Sequence, residues 1–224
     1  MQLLPSNTLI GIGTPQANPT VEAEFRQLLP DSVNMQVSRL TSASEDSATR
    51  LCEYLQQLGE TIKQYGGMPL SAYGFACTCS TYLLGDQREA EIIAALNLPY
   101  PVITAAAAIE QHLQQLNAKT IALAMPYPPA LAEKAVAYWS AKGYRIQQLV
   151  RVDIQSTDTR NIYKLSNSDA MRALSDINCV GIDAIVVTGT GMPSLAALSI
   201  FNERSPVPAF SSNIALANAL LNTL

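Results

Sequence analysis

Short apolar runs alternate with helical patterns along the whole 224-residue chain, and each run ends in a turn signal. The pattern begins with an apolar run at residues 9–13, a proline-rich turn at 14–19 and a helical repeat at 20–29. Further strands are predicted at residues 33–40, 72–76, 102–104, 120–124, 147–152, 184–187 and 208–210. Further helices are predicted at residues 44–65, 105–116, 130–142, 169–180 and 212–221. Strands separated by helices favour parallel sheets covered on both faces, so we predict an α/β fold.

The order of these elements repeats once along the chain. Pro15 and Pro126 each close the first strand of a half, and Cys77 and Gly189 follow them after 62 and 63 residues. Chance echoes occur in any α/β chain, but residues 98–102 and 207–210 add a third matched pair in the same order. We therefore predict two pseudo-symmetric Rossmann-like halves, each a short parallel sheet flanked by helices. The active site is expected in the cleft between them, because such sheets bind ligands beyond the carboxyl ends of their strands.

The predicted halves differ in how the chain builds them. The first comprises residues 1–105 and 206–224 and contains Cys77, because the last helix is expected to pack back on it. The second comprises residues 106–205 and contains the 188–191 loop.

The composition narrows the classes of partner. Charged residues make up 14% of the chain, against about 25% in an average soluble protein, while 48% are hydrophobic. This balance favours strands buried on both faces or a large subunit interface, and we expect a homo-oligomer, at least a dimer. The net charge is -4, and no run of Lys or Arg occurs. Nucleic acid and anionic membranes are therefore poor candidates as partners.

Targeting and metal signals are expected to be absent. The least charged stretch, residues 182–200, is interrupted by glycines and a proline, and residues 1–7 carry no basic segment typical of a secretory signal. The four cysteines lack the spacing of a disulfide framework, which favours a reducing cytoplasm. The single histidine, His112, lies in a separate segment and is predicted on a helix surface, so neither a zinc site nor a catalytic base is expected.

Cys77 is the strongest candidate for chemistry. It follows a predicted buried strand and precedes small polar residues typical of a helix N-terminus. Free backbone N–H groups there favour an anion, which lowers the pKa of a thiol and can bind a carboxylate. The alternative is an inert buried cysteine, since free cysteines are often buried. Cys79 is interpreted as mostly structural, and Cys52 and Cys179 as helical core residues.

Three other segments carry candidate binding groups. Asn18 can direct its amide towards a carboxylate from the turn after the first strand, and Thr20 can cap the next helix. The Thr-Gly-Thr-Gly sequence of residues 188–191 suits a carboxylate or phosphate cradle, although a plain strand-to-helix connection is equally compatible. The Tyr127 hydroxyl can reach the cleft from the turn after the fifth strand. No third glycine follows Gly11 and Gly13 at the nucleotide-binding offset, and no Gly-x-Ser-x-Gly elbow is present.

Two of these segments resemble motifs of maleate cis–trans isomerases. Residues 11–24 read Gly-Ile-Gly-Thr-Pro-Gln-Ala-Asn-Pro-Thr-Val-Glu-Ala-Glu and resemble their N-terminal signature. Residues 75–80 read Phe-Ala-Cys-Thr-Cys-Ser and resemble their first catalytic-cysteine loop. The similarity covers essentially the whole chain, including Tyr127 and the Ser211-Ser212 segment. The wider group is the aspartate/glutamate racemase superfamily, which also contains arylmalonate decarboxylase.

The resemblance implies a small carboxylic acid as substrate, bound between the halves without a metal or organic cofactor. Cys77 would be the nucleophile or acid/base thiol, and Asn18 and Tyr127 would hold carboxylate oxygens. Further candidate substrate-binding residues are Pro15, Thr78, Thr188, Gly189, Thr190, Ser211 and Ser212. Thr159 or Asn161 is a candidate for the place of a further asparagine that the family has. A pair of cysteines often faces the substrate in this family, but the second position is Gly189 here.

A single thiol restricts the reactions that are possible. Two-base racemisation needs groups on opposite faces of the substrate and is disfavoured. Isomerisation of a cis-enedioate needs one nucleophile, and Cys77 in the first half follows that branch. Malonate decarboxylation needs one proton donor, but the decarboxylase resembles the mirror arrangement, with cysteine in the second half and glycine in the first. We expect an isomerase, with a decarboxylating lyase as the alternative and a non-catalytic small-acid binding protein as a further one.

Overall fold

A computed structural model describes residues 8–224 of the chain. The strands are β1 Thr8–Pro15, β2 Val33–Leu40, β3 Ala72–Phe75, β4 Val102–Thr104, β5 Thr120–Met125, β6 Arg145–Arg151, β7 Ala184–Val187 and β8 Ala209–Ser211. The helices are α1 Thr20–Leu28, α2 Ser47–Gln56, α3 Leu58–Lys63, α4 Thr78–Leu84, α5 Asp86–Ala95, α6 Ala105–Gln115, α7 Pro129–Ala141, α8 Asn167–Ser175, α9 Leu195–Asn202 and α10 Ser212–Leu221. A 3-10 helix spans Thr159–Lys164. The expectation about a secretory signal at residues 1–7 lies outside the described residues.

The strands form two parallel four-stranded sheets with matching topology. The first has the order β2-β1-β3-β4 and the second the order β6-β5-β7-β8. The central strands β1, β3, β5 and β7 are buried along nearly their whole length, because helices cover both faces of each sheet. This confirms the predicted α/β fold with two similar sheets, and it places the carboxyl ends of β1, β3, β5 and β7 around one cleft.

The C-terminal segment divides between the two sheets, unlike the predicted boundary at residue 206. Strand β8 pairs with β7, with Ile185 opposite Ala209 and Val187 opposite Ser211, so it completes the second sheet. Only α10 packs towards the first half, against α1, β3 and β4. The prediction assigned β8 together with the last helix, but parallel pairing with β7 keeps that strand in the second sheet.

Two helical predictions are also corrected. The helix expected over residues 44–65 is divided into α2 and α3, because Gln57 leaves helical geometry (φ -97°, ψ 13°) between them. Cys179, expected within a helix, lies in the connection after α8, which ends at Ser175. His112 lies on α6, but its ring packs against the Phe210 ring, with the ring centres 4.2 Å apart and the planes tilted by 50°, and burial lowers the pKa of its imidazole. It is therefore a packing residue rather than a free surface histidine.

Within residues 8–224, no helix has the length and apolarity needed to cross a membrane. In the same part of the chain, no three side chains from His, Cys, Asp and Glu gather as metal ligands.

A buried carboxyl, Glu89 on α5, gives the fold a pH-dependent component. Its side chain accepts hydrogen bonds from the hydroxyls of Thr81 and Thr104, and burial raises its pKa above 4.5. A carboxyl with a raised folded-state pKa contributes stability below its unfolded pKa, and that contribution is lost as pH rises through the folded value. Glutamine cannot titrate, and both hydroxyl partners can rotate to accept from its amide.

We therefore expect Glu89→Gln to gain stability relative to the wild type as pH rises. The free energy of unfolding, measured by urea denaturation at about pH 4.5 and about pH 7.5, should favour the variant more at the higher pH. The exposed Glu133→Gln is the matched control, and its difference from the wild type should stay constant. The same difference in unfolding free energy between Glu89→Gln and the wild type at both pH values would contradict this prediction.

Candidate active site

A small cavity lies where the two sheets face each other. It is lined by Pro15, Asn18, Leu51, Cys77, Thr78, Cys79, Tyr127, Thr159, Ile162, Tyr163, Gly189, Thr190 and Gly191. Its volume is about 30 Å³, room for about two water molecules. The described conformation is therefore closed, and a four-carbon acid can enter only if part of the wall moves.

The cavity has a polar side and an apolar side. Asn18, Thr78, Tyr127 and Thr190 supply amide and hydroxyl groups close to Cys77. Leu51, Ile162 and Tyr163 form an apolar wall, the last two from the 3-10 helix. None of the residues lining the cavity carries a formal positive charge. A bound carboxylate would therefore be held by neutral hydrogen-bond donors.

Cys77 directs its thiol into this cavity from the junction of β3 and α4. It is the N-cap residue of α4 and has an extended backbone (φ -148°), and only 4% of its surface is exposed. Burial raises the pKa of the thiol, and hydrogen bonds from the Ser80 hydroxyl and the backbone N–H groups of Ser80 and Cys79 oppose that rise. The resting thiol is therefore protonated at neutral pH, with three donors placed to receive a thiolate.

The Ser80 hydroxyl has two possible hydrogen-bond acceptors. Its Oγ lies 3.2 Å from the Cys77 Sγ and 2.6 Å from the Leu51 carbonyl oxygen, and the residue is fully buried. A hydroxyl has a single hydrogen, so it can donate to only one of them at a time. The shorter contact favours the carbonyl while the thiol is neutral, and a thiolate would attract the proton.

Replacing Ser80 by alanine should raise the pKa of Cys77 further, because the thiolate loses a donor. A hydrogen bond of about 1 kcal/mol corresponds to roughly fivefold slower alkylation of Cys77 at a fixed pH below its pKa. Peptide mass spectrometry after timed iodoacetamide treatment over a pH series measures this rate. Thr61→Val is the control, since it removes a buried hydroxyl that donates to the Gln57 carbonyl, away from the cavity. Equal rates in Ser80→Ala and the wild type would refute the role of Ser80.

The first half of the chain holds the 188–191 loop in place. The Thr190 hydroxyl donates to the Ala76 carbonyl at 2.8 Å and accepts from the Asn18 amide at 3.3 Å. The Thr20 hydroxyl donates to the Gly191 carbonyl at 2.8 Å. These contacts close the cleft beside Cys77 and explain why loop residues contribute to the cavity wall.

Gly189 lies at the place where the sequence repeat matches Cys77. Its backbone has φ +104°, a region that only glycine adopts readily. A Cβ atom added there would lie 3.2 Å from the Tyr127 hydroxyl and 3.2 Å from the Pro126 ring. Both the backbone conformation and the limited space therefore disfavour a larger residue at this position.

Several residues expected in the site are placed elsewhere. The Thr188 hydroxyl points behind the cavity to Tyr82 and Tyr127, and the Ser212 hydroxyl accepts from the Gly189 N–H. Ser211 caps α10 by accepting from Ile214, and Asn161 is bonded to Asp158 and Lys164 on the outer side. Side chains alternate at strand ends and helix starts, so neighbours in the sequence diverge.

The structure also corrects the roles expected for Thr20 and Asn18. Thr20 does not cap α1; Asn18 Oδ1 does so instead, by accepting from the Thr20 N–H at 2.9 Å. One of the two Asn18 amide hydrogens is donated to Thr190. The candidate residues that line the cavity with Cys77 include Pro15, Thr78, Tyr127, Thr159, Gly189 and Thr190.

No sequence motif marks Leu51, Ile162 and Tyr163 as site residues, and the sequence favours a structural role for Cys79. Cys79 lines the cavity, and burial raises the pKa of its thiol well above the ordinary value. Tyr163 packs where Gly191 lacks a side chain, since a Cβ there would lie 2.6 Å from the ring. A pairing of glycine with a ring from a distant 3-10 helix leaves no periodic signal in the sequence.

An ion pair between buried Arg50 and partly exposed Asp158 supports the wall formed by the 3-10 helix. The Arg50 side chain is 2% exposed and donates to Asp158 at 2.8 Å and to the Thr159 hydroxyl at 3.4 Å. Asp158 in turn accepts from the Arg160 backbone and side chain, and these contacts with the nearby arginines lower its pKa despite partial burial. The 3-10 helix is therefore anchored to α2.

The sequence model of the arylmalonate decarboxylase family matches residues 10–224. The chain belongs to the arylmalonate decarboxylase family. A maleate isomerase of Nocardia farcinica is 25% identical over 96% of this chain and 89% of its own length. A crystal structure of a cysteine-to-serine mutant of the maleate cis–trans isomerase from that organism contains a covalently bound succinylcysteine intermediate. It has a TM-score of 0.82, 24% identity, and coverage of 96% of this chain and 92% of its own.

An arylmalonate decarboxylase structure is also similar. Its TM-score is 0.73 at 19% identity, and the match covers 97% of this family member and 92% of the decarboxylase. These similar proteins are enzymes of two reaction types, isomerisation and decarboxylation. Membership of the family therefore indicates an enzyme, and the site itself must separate the reactions.

Proposed function

We propose that this family member is a cysteine-dependent isomerase of a small cis-enedioate, with maleate as the reference substrate. The observation that carries the proposal is the placement of the Cys77 thiol, at the N-terminus of α4, in a cavity whose other polar groups are neutral, namely Asn18, Thr78, Cys79, Tyr127 and Thr190. The proposal needs no metal or organic cofactor. The N. farcinica isomerase supports the covalent step, because a mutant in which one cysteine is replaced by serine carries a succinylcysteine intermediate.

The proposed reaction conserves atoms and electrons. The Cys77 thiol gives its proton to a substrate carboxylate oxygen, and Sγ forms a bond to one alkene carbon. The alkene electron pair moves onto the neighbouring carboxylate as an enediolate, which leaves a single carbon–carbon bond that can rotate. The enediolate electron pair then re-forms the alkene, the carbon–sulfur bond breaks, and the Cys77 thiolate recovers its proton from the carboxyl group. Hydroxyl donors such as Thr78 and Tyr127 are suited to stabilise the enediolate.

Decarboxylation of a malonate is the second candidate, favoured by one specific observation. Burial raises the pKa of Cys77, so its proton is available for donation. In that reaction the bond between the central carbon and one carboxylate breaks and carbon dioxide leaves. The electron pair of the broken bond forms an enediolate with the remaining carboxylate. The Cys77 thiol then protonates the carbon. The apolar wall of Leu51, Ile162 and Tyr163 suits the substituent of such a malonate.

Incubation of the purified protein with maleate and, separately, with phenylmalonate distinguishes these reactions. Fumarate formation from maleate, followed by proton NMR, is the expected result. Carbon dioxide from phenylmalonate without fumarate from maleate would replace the isomerase with the lyase. Binding of either acid, measured by calorimetry, without any turnover would indicate a binding protein.

A further inference from the structure

A chain of buried hydroxyls runs from the cavity into the core of the second half. The Trp139 indole N–H on α7 donates to the Tyr82 hydroxyl at 3.2 Å. Tyr82 is bonded to Thr188 at 2.8 Å, Thr188 to Tyr127 at 3.1 Å, and Tyr127 to Thr78 at 2.8 Å. Each of the five side chains belongs to a residue that is at most 4% exposed.

Donor and acceptor counting restricts where this chain can donate. An indole nitrogen can only donate, so Tyr82 accepts from Trp139. The four hydroxyls carry four hydrogens but make three contacts with one another, so one hydrogen is left over. If that surplus hydrogen lies on Thr78 or on Tyr127, it belongs to a residue that lines the cavity. If it lies on Thr188 or Tyr82, it is a hydrogen in the core that no other hydroxyl of the chain accepts, which is unfavourable.

The ionisation states keep the chain neutral. Burial raises the pKa of Tyr82 and raises that of Tyr127 well above its ordinary value. Both phenols therefore remain donors throughout the ordinary pH range. The Cys79 thiol lines the same cavity, and the hydroxyls of Thr78 and Tyr127 act on its pKa; a thiol sulfur is a weak acceptor.

We infer that Trp139, Tyr82 and Thr188 are positioning residues that orient the cavity end of this chain, the hydroxyls of Tyr127 and Thr78, so that it donates a hydrogen into the cavity. This inference rests on the proposed function, because it requires an anionic oxygen at that end of the chain. A carboxylate or enediolate oxygen accepts the surplus hydrogen more strongly than the thiol sulfur does. Hydrogen bonds in a chain polarise one another, so this acceptor strengthens each bond back to the indole. The donor is fixed before the substrate binds, which is what efficient stabilisation of developing charge requires.

The chain contains a single tryptophan, so one indole N–H resonance reports on the buried end of the chain of hydroxyls. The experiment titrates isotope-labelled protein with succinate, a dicarboxylate that cannot isomerise, and follows the indole signal by NMR. Calorimetry measures succinate binding independently. We expect a downfield shift of the indole proton in the wild type and loss of that shift in Thr188→Val, although succinate still binds. Thr188→Ser restores the hydroxyl and should restore the shift.

Kinetics with maleate supply a second readout. Thr188→Val should lower kcat by roughly tenfold while KM changes by less than about twofold, because the weakened donor acts mainly on developing charge. Thr61→Val, which removes a buried hydroxyl outside the chain of hydroxyls, should change neither value nor the indole shift.

Each outcome decides between the two ideas. Succinate binding without an indole shift in the wild type, or a shift that persists in Thr188→Val, overturns the inference and leaves the proposed function standing. Failure of the wild type to bind either succinate or maleate overturns the proposed function and the inference with it. Loss of the shift in Thr188→Val with recovery in Thr188→Ser supports both.

Discussion

Replacing Cys77 by alanine is expected to reduce turnover of any substrate of this site by roughly 10³-fold or more, while the protein still folds. Both candidate reactions use this thiol, as nucleophile in one and as proton donor in the other. The fold should survive because the backbone of Cys77 is extended, a conformation that alanine adopts without strain. Maleate and phenylmalonate assays measure the activity, and circular dichroism with thermal unfolding measures the fold.

Two further variants sharpen this prediction. Cys179→Ala removes a thiol outside the cavity and should retain full activity. Cys77→Ser keeps a small polar side chain, but a hydroxyl is a poorer nucleophile and a weaker acid, so it should be nearly as inactive as alanine. Activity within about tenfold of the wild type in Cys77→Ala would refute both candidate reactions.

Glu24 is expected to give the largest loss of stability. One carboxylate oxygen accepts from the backbone N–H groups of Ser194 at 2.7 Å and Leu195 at 3.2 Å, at the start of α9. The other accepts from the Asn213 amide at 2.7 Å, and that amide also donates to the Thr190 carbonyl. Glu24 is 4% exposed, and burial raises its pKa although these donors oppose the rise. One buried carboxylate thus joins α1, α9 and α10.

Glu24→Gln should lower the free energy of unfolding by about 2 to 4 kcal/mol, measured by urea denaturation near neutral pH. An amide presents hydrogens on one side, so it must face either the backbone donors of α9 or the Asn213 amide. The backbone donors cannot reverse, and an Asn213 amide turned over to accept would lose its hydrogen bond to the Thr190 carbonyl, in contrast to the hydroxyls around Glu89. The control is Glu22→Gln on the same helix, whose half-exposed pair with Arg39 is worth at most about 1 kcal/mol. Equal losses in the two variants would contradict this assignment.

The repeat of the chain was readable from sequence because it depends on local patterns. Each central strand is a short apolar run, and Cys77 and Gly189 follow equivalent strands. The sequence alone therefore predicts that these two residues lie at one cleft. The direction of individual side chains was less predictable. Thr188 and Ser212 are adjacent to cavity residues but serve the core and the loop, since the orientation of a hydroxyl depends on partners far along the chain.

The apolar wall of the cavity is not predictable from the sequence for a related reason. Ile162 and Tyr163 lie on a 3-10 helix whose position is set by Arg50, more than a hundred residues earlier. Neither helical nor strand periodicity marks such a segment. The break between α2 and α3 at Gln57 is similar, because no proline or glycine at that residue signals it.

The main chain at Gly189 also constrains how this family member could have changed during evolution. Cys77 has φ -148° and Gly189 has φ +104°, so the matched positions of the two halves differ in backbone as well as in side chain. A single Gly-to-Cys codon change would place a side chain in a conformation that costs about 1 to 3 kcal/mol and against Pro126. A cysteine at this position would therefore be accommodated best if the 188–191 loop also changed its backbone, so an opposing thiol is not reached at low cost by this one substitution.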